Sequence, residues 1–113
     1  MKHVSVNLRI MTVSTSEAWI AMGDSTRRAI LGRLTVRPQS VTEIAADFPI
    51  SRPAVSQHLR VLRDADLVRL NPRGRQNIYE VKPETLDALR SELEAFWRRS
   101  LATFKQIAEE DPD

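Results

Sequence analysis

The side chains best equipped for chemistry in this chain are guanidiniums, hydroxyls and one carboxamide, gathered between residues 51 and 75. Placed on a helical wheel, Val55, Leu59 and Leu62 fall together. Pro53, Ser56, Gln57 and Arg60 cluster opposite them, with Arg52 and Arg63 toward one edge. An arginine fork pairs with two acceptors of guanine or with phosphate oxygens, a glutamine matches adenine, and a serine hydroxyl donates to phosphate. Any solvated helix face can carry such residues, so the helix alone does not separate a binding surface from an ordinary exterior. The next segment does. Arg73 and Arg75 flank Gly74 in the run Asn-Pro-Arg-Gly-Arg-Gln, where a tight turn offers few core contacts to account for two cations. Arginines at a hairpin tip can enter a minor groove and use its concentrated negative potential. Helix and tip together point to a surface built for duplex DNA.

Charge is distributed to match. Residues 51–75 hold six arginines against Asp64 and Asp66, whereas residues 84–113 hold eight acids against four bases. One part can meet a polyanion while the other stays clear of it. Only three of the 17 basic residues are lysines, and Ser56 and Gln57 lie among the arginines, which argues against nonspecific DNA coating. At 113 residues, 42% hydrophobic and 28% charged, the chain has the composition of one soluble globular domain, too small for a core plus a catalytic lobe. It contains no apolar run of membrane-spanning length and no apolar stretch after Lys2 that would read as a secretory signal. The absence of cysteine removes disulfides and thiolate ligands and fits a cytoplasmic location. No Ser-His-Asp set, glycine-rich phosphate loop or carboxylate pair assembles, so neither an enzyme nor a cofactor is expected.

The elements that must position the arginines are mostly helical. Ser16 is a candidate N-cap for a short helix over 17–22, with Ala18, Trp19 and Met22 on one side and Gly23 ending it. Asp24 or Ser25 can cap a second helix to about Val36, with Ala29, Ile30 and Leu34 as its apolar stripe and Pro38 as its stop. Ser40 and Glu43 have capping-box spacing at the head of a third helix, VTEIAADF, in which Val41, Ile44, Ala45 and Phe48 point inward. After the Pro49-Ile50 turn, Ser51 caps the fourth helix, with Pro53 in its first turn. Alternating residues over about 67–71 and 77–81 read as a hairpin, and Pro83 opens a last helix to about Glu109. The expected fold is mainly α with a small β-hairpin, in the order α-α-α-α-β-β-α: a winged helix-turn-helix over 16–110. Residues 1–15 alternate at Val4, Val6, Leu8 and Ile10, as a loose tail or an edge strand, with Met11 a candidate natural start; residues 111–113 form a tail.

The segment SRPAVSQHLRVLRDADLVRLNPRGRQNIYEV resembles the recognition helix and wing of ArsR-type winged-helix repressors. The pattern Ser51-x-Pro53-x-Val55-Ser56-x-His58-Leu59-x-x-Leu62, then Ala65-Asp66-Leu67-Val68, carries the likeness. Asp24-Ser25-Thr26-Arg27-Arg28-Ala29-Ile30-Leu31 resembles the family's second helix, and the match extends over about 16–108. The resemblance implies a homodimer that represses by binding a pseudo-palindromic DNA operator and lets go when an effector binds. It assigns Ser51, Arg52, Pro53, Ser56, Gln57 and Arg60 to the recognition helix and Arg73 and Arg75 to the wing. Within that surface, Ser56, Gln57 and Arg60 are expected on bases, Ser51 and Arg52 on phosphates, and Arg73 and Arg75 in the minor groove.

The chain departs from the family's metal sensors. Where thiolate-using members carry Cys-x-Cys, this sequence has Ser40 and Thr42, and hydroxyls are poor ligands for soft ions. The last helix has Asp87, Glu92 and Glu94 but no histidine, so no metal site is expected there either. His3 lies in the tail, and His58, at the margin of the buried stripe, reads as structural. Two tryptophans and a long apolar stripe exceed what so small a domain can cover, so Trp19, Met22, Leu89, Leu93, Phe96, Trp97 and Phe104 are assigned to a two-fold interface. The identity of any effector is open, and the rival reading is a winged-helix protein-interaction module whose basic face docks an acidic partner.

Overall fold

The computed structural model of the chain describes residues 15–110. The proposed N-terminal strand or tail, His3 and residues 111–113 lie outside them. A first helix, α1, covers 15–21, so Ser16 lies inside it rather than capping it. Helix α2 (Ser25–Val36) follows, then strand β1 (Gln39–Ser40), helices α3 (Val41–Ala46) and α4 (Arg52–Asp64), strands β2 (Val68–Arg73) and β3 (Gln76–Val81), and helix α5 (Pro83–Glu110).

The caps explain where these helices start. Asp24 Oδ2 accepts from the Arg27 amide at 2.9 Å at the head of α2. The Ser40–Glu43 box closes in both directions, at 3.2 and 3.0 Å, and Ser51 Oγ accepts from the Ala54 amide at 3.2 Å. Each arrangement satisfies amide donors that have no partner within the helix. In α2 the buried residues are Ile30, Leu31 and Leu34; Ala29, expected inward, is exposed, because the stripe runs one residue further along the helix.

The element order needs one correction. Gln39 and Ser40 pair antiparallel with Tyr79 and Ile78, making a three-stranded sheet in the order β1-β3-β2 rather than a bare hairpin. Two residues are too short a run for sequence alternation to reveal, and the pairing exists only because β3 arrives beside them. The hairpin is also longer than expected. Pro72, Arg73 and Gln76, read as turn residues, belong to the strands, and Arg73 pairs with Gln76. Only Gly74 and Arg75 remain in the turn, with Gly74 at φ +61°, as a two-residue hairpin with glycine first requires. Pro72 is tolerated because β2 is an edge strand, where its missing N–H need not break a ladder.

Ile30, Ile44, Val55, Leu59, Leu62 and Leu67 form the centre of the core, all fully buried. The stripe read on α4 is thus the stripe that packs, and its removal from water turns the opposite face outward. Helix α4 ends with Asp66 in the left-handed region at φ +65°. The Leu67 and Asp66 amides return to the Leu62 and Arg63 carbonyls at 2.9 and 3.0 Å, the paired bonds of a Schellman ending. Asp66 also binds the next layer: Lys82 Nζ donates to its carboxylate at 2.5 Å and the Thr85 hydroxyl to its carbonyl at 2.6 Å. This junction ties the end of the fourth helix to the root of the wing and the head of α5.

Helix α5 divides into two parts. Thr85 and Leu89 are buried, whereas from Leu93 onward the large apolar residues are exposed. Leu89, assigned to an intersubunit surface, is only 5% exposed and belongs to the chain's own core, a correction that follows from its place in the first two turns against the domain. Met22 is half-buried and packs against the same core, so little of it is left for a partner.

Candidate nucleic-acid interface

Ser51, Arg52, Pro53, Ser56, Gln57 and Arg60 are all exposed along one side of α4, and Arg73, Gly74 and Arg75 are exposed at the hairpin tip. The structure brings helix and hairpin together around a cleft of about 220 Å³ lined by Ser40, Thr42, Arg52, Arg75, Gln76 and Asn77. Arg73 does not line it.

Electrostatics separate these cations from four other arginines. Arg33 is paired with Asp47, Arg37 with Glu43 at 3.1 Å, and Arg90 with both Asp87 and Glu94, at 2.5 and 3.0 Å. Arg69, counted in the basic block, is joined to Glu80 on the neighbouring strand at 3.1 Å, so its charge is offset within the sheet. Among the described residues, no carboxylate pairs with Arg52, Arg60, Arg73 or Arg75. Four guanidiniums without counter-ions among the described residues form a surface prepared for an external anion.

The hydroxyls that stand where a thiolate pair would be have other tasks. Ser40 closes the capping box of α3, and Thr42 Oγ1 accepts from Arg52 Nη2 at 2.9 Å. Among the described residues no group of three or more His, Cys, Asp or Glu side chains converges as a metal-ligand set. His58 is mostly buried beside the core; its Nδ1 has no hydrogen-bond partner and lies 3.9 Å from Asp24 Oδ2, within ion-pair reach but too far for a hydrogen bond. The Arg27 amide holds the Asp24 carboxyl below the usual aspartate range, and the Ser40 amide followed by the Arg37 guanidinium does the same for Glu43.

The second exposed surface is apolar. Trp19 on α1 and Leu93, Phe96, Trp97, Leu101, Phe104 and Ile107 on α5 are all exposed, Phe104 to 73%. Their spacing of three and four residues keeps them on one continuous side of the helix. Phe96 and Trp97 meet edge to face at 5.8 Å, and Trp19 Nε1 donates to Glu92 at 3.2 Å, joining α1 to α5. No helix among the described residues is long and apolar enough to cross a membrane, so this stripe is not a span.

A family model described as a helix-turn-helix domain matches residues 22–71, from the end of α1 into the wing. The HTH-type transcriptional regulator Rv2034 of Mycobacterium tuberculosis is 47% identical over 100 residues, covering 88% of this chain and 94% of its own. A solved ArsR-like transcriptional regulator from Rhodococcus sp. RHA1 superposes with a TM-score of 0.72 at 34% identity, covering 86% of this chain and 94% of that one. The chain belongs to the ArsR-like HTH-type transcriptional regulators. Transcriptional repressor SdpR of Bacillus subtilis is a further relative, 33% identical over 66 residues, 58% of this chain and 73% of its own. Within this ArsR-like regulator, α3 and α4 are the helix-turn-helix and β2–β3 is the wing. Thr42 is the lining residue that no local pattern marks as a contributor, because its contact with Arg52 spans ten residues.

Proposed function

We propose that this regulator is a homodimeric repressor that binds a pseudo-palindromic operator through α4 and the wing of each subunit. The observation that carries the reading is the set of four arginines on that face without a carboxylate partner, beside an exposed Ser56 and Gln57. Ser56, Gln57 and Arg60 contact base edges; Ser51 and Arg52 engage the backbone, and Arg73 enters the minor groove from the wing. Pro53 contributes shape rather than a hydrogen bond, since it has no N–H.

The distal half of α5, with Trp19, supplies the two-fold contact. A bare stripe of Leu93, Phe96, Trp97 and Phe104 costs solvation in a lone subunit, and burying it against a second copy removes that cost on both sides. Two recognition helices held about 34 Å apart then meet successive major grooves on one side of a duplex. The name of SdpR as a repressor supports the direction of regulation. The regulatory function requires no catalysis.

The test is a titration of duplexes from the regulator's own upstream DNA, with random-sequence DNA as competitor and salt varied. The expected outcome is saturable binding by two subunits at a site with two-fold symmetry that survives the competitor. Equal affinity for random DNA, or none at physiological salt, would overturn the reading; the latter with capture of an acidic protein would favour a protein-interaction module.

A further inference from the structure

The cleft between the helix-turn-helix and the wing has a chemistry of its own. Two guanidiniums, Arg52 and Arg75, reach it from different elements, and its remaining polar lining consists of the Ser40 and Thr42 hydroxyls and the Gln76 and Asn77 carboxamides. No carboxylate lines it. Glu43, on the same short helix as Thr42, is turned to the Ser40 amide and to Arg37. Such a lining is rich in donors and suited to an anion.

Arg52 does not hang freely at this cleft. Its Nη2 is committed to Thr42 Oγ1 at 2.9 Å, which sets the plane of the guanidinium while leaving other N–H groups to donate. The turn of the wing makes a second distinction. Arg73 is the last residue of β2 and lies outside the cleft, whereas Arg75, one residue past Gly74, lines it.

We infer that this cleft seats one phosphodiester of the DNA backbone between Arg52 and Arg75, with Thr42 as the residue that positions Arg52. The inference rests on the DNA-binding reading above and refines it: Arg75 clamps the same phosphate as Arg52, and Arg73 alone is left for the minor groove. The clamp fixes the wing and the recognition helix to one point of the backbone, and so fixes the register at which Ser56, Gln57 and Arg60 meet the bases.

The experiment uses the full chain and a duplex that the protein itself enriches from a random pool, remade with a neutral methylphosphonate at each backbone position in turn. Wild type is expected to lose about tenfold affinity at one phosphate per half-site. Arg52→Ala and Arg75→Ala should each bind the unmodified duplex about tenfold more weakly and lose sensitivity at that same phosphate. Thr42→Val, nearly isosteric, should weaken the wild-type protein but add nothing to Arg52→Ala, while Arg73→Ala should keep the sensitivity. Thermal melts of the variants confirm that they fold. Loss of sensitivity at two different phosphates would overturn the clamp while leaving DNA binding intact, as would additive effects of Thr42→Val and Arg52→Ala. Failure to enrich any duplex would remove the DNA reading and the clamp with it.

Discussion

The face formed by α4 and the wing and the distal half of α5 are both left unfinished by the single chain, in opposite currencies. The first exposes guanidinium charge without counter-ions, at Arg52, Arg60, Arg73 and Arg75. The second exposes apolar area, at Leu93, Phe96, Trp97, Leu101 and Phe104. At other positions the chain completes both kinds of interaction itself, pairing Arg33, Arg37, Arg69 and Arg90 with carboxylates and burying Ile30, Leu59 and Leu67. The contrast teaches that a basic residue count overstates a binding surface. What marks the proposed DNA face is a local cluster of arginines without a carboxylate partner among the described residues, and what marks the second face is a continuous run of uncovered apolar residues; Arg63, Arg98 and Arg99 are unpaired as well, and Ile20 and Val36 are exposed apart from that run. On the proposed reading a polyanion satisfies one and a second copy of the chain the other, and the two needs are coupled because the dimer places two DNA faces on one duplex.

The coupling can be broken at its apolar end, where the largest effect is expected. Trp97→Glu combined with Phe104→Glu should leave the subunit folded, since both side chains are exposed, yet give a monomer in sedimentation equilibrium. Operator affinity should then drop by about 10²–10⁴, the loss of a second half-site held at high effective concentration. A mass that stays dimeric would show that the stripe is not the two-fold contact, and a monomer with unchanged operator affinity would show that the two faces are independent. At the charged end, Arg60→Ala should cost about 1–3 kcal/mol in operator binding and relax discrimination at one base pair per half-site, measured on a panel of single-substituted duplexes. Arg73→Ala should weaken binding to every sequence alike and lower the slope of log affinity against log salt by about one per subunit engaged. Arg69→Ala is the sharpening control: with its charge already spent on Glu80, it should alter the salt slope much less.

A smaller effect concerns stability rather than binding. Ser40→Ala removes the acceptor for the Glu43 amide and should destabilise the fold by about 0.5–2 kcal/mol, read as a lowered urea midpoint. The caps also predict an acid response. Asp24 and Glu43 have folded pKa values below their ordinary 3.8 and 4.5, so they favour the folded state above those values. That contribution is lost as pH falls through the lower folded values. Asp24→Asn with Glu43→Gln should therefore flatten the dependence of the urea midpoint on pH below about 5. An unchanged slope would show that neither carboxylate is linked to folding.

Local chemistry made much of this legible in advance. The inward stripe Val55, Leu59 and Leu62 follows from helical period, and with it the outward placement of Ser56, Gln57 and Arg60. The Ser40–Glu43 box and the Ser51 cap follow from spacing alone, because both partners lie within four residues. Contacts across the chain were not legible in the same way. Leu89 and Phe96 look alike on the wheel of α5, yet one is inside and the other outside, because only the first two turns lie against the core. Asp66 shows no glycine-like signal, although it takes a left-handed conformation held by Lys82 and Thr85 from the next layer.

The sequence by itself determined the caps of α2, α3 and α4, the buried stripe of α4 and the polar character of the side opposite it, since each depends on residues a few positions apart. Tertiary structure alone decided the two-residue strand β1, the neutralisation of Arg69, the alignment of Arg52 by Thr42 and the separation of Arg75 from Arg73. Those outcomes depend on where distant segments arrive after folding, and a periodicity holds no record of what will stand opposite a side chain.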